Sequence, residues 1–381
     1  MGTPTWQDMT ARRLWRHALT SPGTSASDVV GAMCGVHAQV MSAAEVSLGL
    51  RLEGADRTHV RAALWETHEL VKTFGPRGTV HLLPTRELPL WTAALSAAQR
   101  AGNPSPKGAL LTPEQTDELV EASASVLAGA EMTVDELTEA LAERAGSWAA
   151  DPVMDAFQAK WPRWRQATHT LANRGSLCFG PMRGRKVTYT SPRRWLPDTA
   201  PADTDRALAH VLTAYLRAYG PATPQHFAQW LSAPRRWAVE LFASMGGLVE
   251  PVEVEGATLY QVAGDAADPP APAPEVLLLP YFDAYTVGCH PREVVFPGPA
   301  RRRALARGQA GTHPVLFVDG LAAGVWHQRR SGRHLDITVE ALAPLPPARR
   351  DAVAEQAERV GRILQASPRL AFDTVTVGPH A

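Results

Sequence analysis

Lysine is almost missing from this 381-residue chain: Lys72, Lys107, Lys160 and Lys186 are its only four, and arginine carries the rest of the positive charge. Cysteine is equally sparse. Cys34, Cys178 and Cys289 are odd in number and far apart, which excludes a disulfide framework and a zinc-type cluster. No apolar run approaches the eighteen residues of a membrane span, and residues 1–6 lack a signal-peptide core, so a cytoplasmic protein without a membrane partner is expected. An excess of one charge is lacking too. Lys plus Arg number 38 and Asp plus Glu 38, a formal net charge of zero that argues against a simple polycationic binder. The common catalytic fingerprints are also absent: there is no Walker A loop, dinucleotide glycine motif, His-Glu-x-x-His or Gly-x-Ser-x-Gly elbow. The 13 histidines are scattered without metal-ligand spacing, so neither metal nor cofactor is expected.

What charge there is, is segregated. Residues 114–143 hold nine acidic residues and no Lys or Arg, whereas residues 292–333 hold eight arginines against Glu293 and Asp319. One face so built suits a polyanion, and arginine's planar fork suits phosphate. The alternative is a pair of solvated faces of opposite sign.

Hydrophobic periodicity divides the chain into recurring units. Residues 6–19, 28–34, 43–51 and 59–67 read as helices, the third opened by a capping box at Ser42-Ala43-Ala44-Glu45 and the fourth capped by Thr58. Two β-like runs, 70–74 and 79–83, flank Gly75-Pro76-Arg77-Gly78, a hairpin with Arg77 at its tip. Helices followed by a basic-tipped hairpin is the winged helix-turn-helix plan. It recurs with a capping box at Thr133–Glu136, helices 137–145 and 164–173, and a hairpin 176–180/186–190 carrying Arg183, Arg185 and Lys186, which like Arg77 at the first tip are placed to meet DNA phosphates or are solvated. A third copy runs through helices 207–219, 225–231 and 234–244 to a hairpin 248–252/258–262. A proline-rich linker, 265–275, then leads to β-like runs at 276–279, 314–318, 322–327 and 335–339, with turns at Asp319-Gly320 and Ser331-Gly332. A helix 348–366 and a short strand 370–377 close the chain. The expected architecture is α+β: winged helices at 1–105, 106–200 and 201–264, the linker, and a β-rich, barrel-like module at 276–381. Tandem, non-identical units in one chain suit a monomeric clamp on DNA better than two-fold half-site reading.

The stretch Val36-His37-Ala38-Gln39-Val40 lies between two helical patterns. In locally extended backbone, side chains at i and i+2 point the same way, so His37 and Gln39 can face one pocket. They can equally be connector residues that satisfy backbone groups.

His37-Ala38-Gln39 with Arg51 twelve residues on, Arg77-Gly78-Thr79-Val80-His81-Leu82, Tyr219-Gly220-Pro221-Ala222-Thr223, Leu279-Pro280-Tyr281-Phe282-Asp283 and Val318-Asp319-Gly320 resemble, together and in this order, the winged-helix DNA glycosylases of the AlkZ/YcaQ type. The resemblance runs through essentially the whole chain. It implies three tandem winged helices in a C-shape with a C-terminal β module. It also implies an enzyme that excises alkylated bases, including bulky and cross-linking natural-product adducts, from double-stranded DNA. Some members of the family protect antibiotic producers. The family's signature is Gln-x-Gln or Gln-x-Asp; Gln39 matches its second position, and His37 makes this chain a His-x-Gln variant. Gln39 would then accept from the attacking water, and neutral His37 would take its proton. No lysine is expected near this motif to form a Schiff base, so a monofunctional enzyme that leaves an abasic site is expected.

Other candidates follow from position. Asp283, after an apolar run, either orients a site residue or caps the next turn. His81 is a second site candidate or a satisfied strand histidine. His290 and Arg292 could touch DNA, as could Arg301, Arg302 and Arg303 beside the β module, or these groups are simply solvated. A non-catalytic winged-helix DNA-binding protein or regulator, or a scaffold that kept only the architecture, is the competing reading.

Overall fold

Three stretches of the chain repeat one topology in the computed structural model, which describes residues 4–102, 110–156, 160–196, 202–265 and 275–379. In the first, the helix Ala26–Ala32 leads to a two-residue strand, Val36–His37, then to helices Met41–Gly49 and Arg57–Trp65 and a hairpin of Leu70–Phe74 with Val80–Pro84. The short strand pairs with the hairpin's return strand, Val36 opposite Leu82 and His37 opposite His81. The second stretch runs Pro113–Val126, Glu131–Thr133, Val134–Ala145, Thr168–Asn173 and the hairpin Cys178–Phe179/Thr188–Thr190, again with the short strand on the return strand. In the third, helices Thr204–Tyr219, Pro224–Leu231 and Arg235–Ser244 precede the hairpin Val249–Val254/Ala257–Val262, and the short strand shrinks to one bridge between Ala222 and Tyr260. The second stretch alone carries an extra small hairpin between its helices, Pro152–Asp155 with Lys160–Pro162.

Local chemistry starts many of these helices. Reciprocal caps form at Thr5–Asp8, Asp56–His59, Thr112–Gln115, Thr133–Glu136 and Thr223–His226, each satisfying two backbone N–H groups that the first turn leaves unpaired. The expected box at Ser42–Glu45 does not form. Val40 is the N-cap, without a side-chain bond, and Glu45 is fully buried, accepting from Arg57 at 2.7 Å and Arg61 at 2.7 Å. Tertiary ion pairing there wins over the local motif. Asp56, not Thr58, caps the next helix.

Residues 276–341 and 367–372 form a five-stranded sheet, in the order Val276–Leu279, Val315–Val318, Leu321–Ser331, His334–Ala341 and Ser367–Phe372. The turn at Asp319-Gly320 places both residues at positive φ, 50° and 79°, as a two-residue hairpin requires. The last strand pairs in parallel with its neighbour, reached through the helix Pro347–Leu364. Among the described residues no pairing joins the first and last strands, so the module is a curled open sheet and not a closed barrel.

The largest apolar core is continuous from Leu14 and Trp91 through Tyr215 and Phe227 to Phe296, Phe317 and Trp326. It therefore ties the first stretch, the third and the C-terminal sheet together. A separate core surrounds Trp164 in the second stretch, and another packs Val30, Leu48 and Leu64 beneath the first hairpin. Burying each such large side chain contributes about 1.5–3 kcal/mol. No described helix is long and apolar enough to cross a membrane. Most of the proline-rich stretch 265–275 lies outside the described residues.

Candidate active site

The strand bearing His37 is short, and its end decides where the candidate pair points. The Ala38 N–H donates to the Val80 carbonyl at 2.7 Å, after which the chain bends at Gln39 and Val40 into the Met41–Gly49 helix. Alternation of faces needs continuous extended backbone. The bend interrupts it, and the two side chains line different cavities. His37 is 7% exposed and lines a small cavity with about 10 Å³ of free space; Gln39 is exposed on the wall of a cleft of about 1010 Å³. The smaller space has room for about one water molecule and none for a nucleobase.

Two aromatic neighbours flank His37. Its ring stacks on Phe282, with centroids 4.5 Å apart and planes 24° apart, and meets His81 edge-on at 5.1 Å. Phe282 takes a left-handed backbone, φ 54°, while its N–H donates to Gly311 at 2.7 Å. That conformation costs about 1–2 kcal/mol in a residue with a side chain, so surrounding contacts must impose it. His81 Nδ1 lies 2.8 Å from the Thr79 carbonyl, which places the proton on Nδ1 and leaves Nε2 as an acceptor. Burial, followed by the neighbouring His37 and Arg77, holds the His81 pKa well below 6.5. Gly75 makes room for that ring: a Cβ there would come within 2.8 Å of it.

Asp283 caps the next turn, as one of its two readings has it, and also pairs with Arg51. Its carboxylate takes two bonds from the Arg51 guanidinium, each 2.8 Å, a third from Ser47 Oγ at 2.7 Å, and one from the Tyr285 N–H at 3.0 Å as a helix cap. Both ion-pair partners are fully buried. Burial pushes the Asp283 pKa up, but the Arg51 charge and the bonds from Arg51 and Ser47 outweigh it and hold the carboxyl below 3.8. Arg51 also donates to the His17 carbonyl at 2.9 Å. The pair thus fastens the Met41–Gly49 helix to the segment that presents Phe282 to His37.

Several arginines expected on DNA are used internally. Arg77 is drawn inward, donating to the Trp230 carbonyl at 2.9 Å, because the third stretch packs against this hairpin. Arg183 is exposed but donates through one nitrogen to both Glu136 carboxylate oxygens, at 2.8 and 2.9 Å, and Lys186 pairs with Asp135 at 2.7 Å. Arg292 donates to the carbonyls of Thr286, Val287 and Cys289, closing the short helix Ala284–Gly288. His290 is buried and stacks on His226 at 4.7 Å. Arg303 forks onto Glu340 at 2.8 Å. Of the arginines named from sequence, Arg185, Arg301 and Arg302 are exposed without a described ion pair.

The cleft beside Gln39 gathers side chains that sequence position gave no reason to connect. Phe74 and Thr79 come from the first hairpin; Trp161, Arg165, His169 and Phe179 come from the second stretch. Lys160 and Lys186 line it as well, which corrects the expectation that no lysine approaches the motif. Lys186 is nonetheless held as an ammonium, its pKa raised by its bond to Asp135. His169 sits against Phe74, ring centroids 4.5 Å apart, and burial lowers its pKa. Gly78 fits beside it because a Cβ would approach the imidazole to 2.9 Å. Among the described residues no group of three metal-ligating side chains forms a metal site.

Three more histidines share a property with consequences for stability. His17, His226 and His290 have pKa values lowered to about 3, 4 and 2, each chiefly by burial. All three are neutral in the folded state at pH values where the unfolded chain takes up a proton near 6.5. Stability is therefore full above that value and falls as pH drops from about 6.5 toward 4, by up to about 1.4 kcal/mol per pH unit for each histidine. Thermal melting across this range should show the decline, and His17→Gln should flatten it; equal slopes would remove His17 as a contributor.

A family model described as DNA glycosylase AlkZ-like matches residues 30–363. An interstrand DNA cross-link repair glycosylase of Streptomyces sahachiroi is 36% identical to the chain over 340 residues, covering 84% of this chain and 87% of that protein. The solved structure of the Streptomyces sahachiroi DNA glycosylase AlkZ aligns with a TM-score of 0.79 at 32% identity, over 98% of this chain and 100% of that one.

Proposed function

The chain belongs to the AlkZ-like DNA glycosylase family, and from that premise we propose that it hydrolyses the N-glycosidic bond of N-alkylated purines in double-stranded DNA, with bulky N7-guanine adducts as its substrates. The relative's name assigns that protein to interstrand cross-link repair; here the reading rests on the cleft. Its carrying observation is the exposure of Gln39 on the wall of a space far larger than the cavity beside His37. A base extruded from the helix needs a pocket of its own size. The His37 cavity is too small for one, so the damaged nucleotide is met in the open cleft.

Alkylation at N7 makes guanine cationic, so it departs without being protonated. The sugar left behind passes through an oxocarbenium-like state, as in glycoside hydrolysis. Gln39 accepts a hydrogen bond from the attacking water through its amide oxygen and orients it toward C1′. His37, fixed between Phe282 and His81 in the adjoining small cavity, takes the proton that the water loses by way of the one water molecule that this cavity admits. A neutral imidazole suits this task, because a cation there would oppose the positive charge growing on the sugar. His81, with its proton on the Thr79 side and its pKa held low, adds no charge near neutrality.

The three repeated topologies are read as tandem winged helices, since in each a short strand or bridge before a helix joins the return strand of a hairpin. Lys160 and Arg165 supply phosphate contacts along the cleft, Arg185 adds one on the second hairpin, and Arg301 and Arg302 extend them at the C-terminal sheet.

The direct test is mass-spectrometric detection of free base from a duplex carrying one N7-methylguanine or one bulkier N7 adduct. Release with an abasic product is expected; tight binding without release would favour a non-catalytic DNA-binding protein. The enzyme is monofunctional in this account, because Lys186 is kept charged by Asp135 and so is a poor nucleophile. Borohydride should trap no protein–DNA adduct. A trapped adduct would place a lysine of the cleft, Lys160 or Lys186, at C1′.

A further inference from the structure

The extra hairpin of the second stretch has no counterpart in the other two. Where it stands, the first stretch joins its helices from Gly49 to Arg57 and the third from Leu231 to Arg235, without strands. The addition sets Trp161 on the cleft, 43% exposed, an unusual position for the largest apolar side chain. Arg165 lies over one face of the indole, its guanidinium carbon 3.8 Å from the ring centroid. A guanidinium so placed fixes the ring and gives it a cationic backing, leaving the remaining surface for a second flat partner. Phe74, Phe179 and Tyr189 line the same cleft, as does Gln39.

We propose that Trp161, backed by Arg165, is a specificity residue that stacks against a planar, uncharged polycyclic aromatic group carried on the alkylated base. The inference rests on the glycosylase reading above and adds to it the part of the lesion that this cleft selects. Stacking needs only a π-face and no hydrogen-bond pattern, so an exposed, rigidly backed indole recognises flat groups of varied outline. A methyl group offers nothing to stack. The discrimination between a methyl and an aryl adduct therefore resides on the second stretch, in the same cleft as the residue that handles the water.

The test compares duplexes bearing a single N7-methylguanine or a single N7-(9-anthracenylmethyl)guanine, with wild type, Trp161→Ala and Trp161→Phe. Single-turnover release gives the aryl-over-methyl ratio. The same comparison is made for binding in a Gln39→Ala background, read by anthracene fluorescence for the aryl duplex and by competition for the methyl one. Trp161→Ala should lower the aryl-over-methyl ratio about tenfold in both readouts, and Trp161→Phe should restore most of it. An unchanged ratio would overturn the proposal, as would equal losses on both duplexes, which would mark Trp161 as a support for any displaced base. If wild type releases neither base, the glycosylase reading of these substrates fails, yet the binding ratio still decides the role of Trp161.

Discussion

Gln39→Ala should slow single-turnover base release by about 100- to 1000-fold while duplex affinity stays within a few-fold. The size follows from what one positioned hydrogen-bonding or proton-transfer group contributes to a hydrolytic transition state. The separation of rate from binding follows from the structure. Gln39 is exposed and its amide makes no hydrogen bond among the described residues, so its truncation leaves no buried group unsatisfied. The cleft's cationic side chains are untouched. Quench-flow release assays beside fluorescence anisotropy on the same duplex would check both halves. Parallel losses in affinity and rate would mean that Gln39 is a DNA contact and not a handler of water.

Asp283→Ala should destabilise the protein by about 3–5 kcal/mol, a fall of roughly 10 °C in melting temperature. Arg51 is fully buried and would keep its charge with no carboxylate beside it. Ser47 Oγ would lose its acceptor and the helix after Asp283 its cap. The double variant Arg51→Met/Asp283→Leu should recover much of the loss, because removing both charges avoids the cost of an isolated one. Arg303→Ala, which breaks a solvent-accessible pair with Glu340, should cost much less. Calorimetric melts of the four proteins would rank these effects. An Asp283→Ala change under about 1 kcal/mol would show that the pair is not what joins the Met41–Gly49 helix to the Phe282 segment.

What could be read from sequence was what local chemistry specifies. The Gly75–Gly78 and Asp319-Gly320 turns identify their hairpins because few residues reach those backbone angles, and the Thr133–Glu136 cap forms as its pattern implies. An identical pattern at Ser42–Glu45 misleads, since Arg57 and Arg61 claim the glutamate. Charge was the least legible property. Arg183 and Glu136 lie 47 residues apart, and no feature of either predicts that they pair. Arg77 occupies the expected turn but faces Trp230, 153 residues away. The candidate pair was found through its motif, yet its i, i+2 geometry was not, because a strand of two residues ends before alternation can carry to Gln39. Trp161 and His169 carry no local signal at all. Only the packing of the second stretch against the first hairpin brings them beside Gln39.

The mechanism stands on a neutral His37 that accepts a proton behind Gln39, and the pH dependence of single-turnover release on N7-methylguanine duplex tests it most directly. His81 cannot supply a transition near neutrality, since its pKa lies well below 6.5. Rates should not fall as pH rises through neutrality, and His37→Ala should remove most of the activity. A rate that instead declines as pH rises through neutrality would require a protonated histidine and would contradict the account.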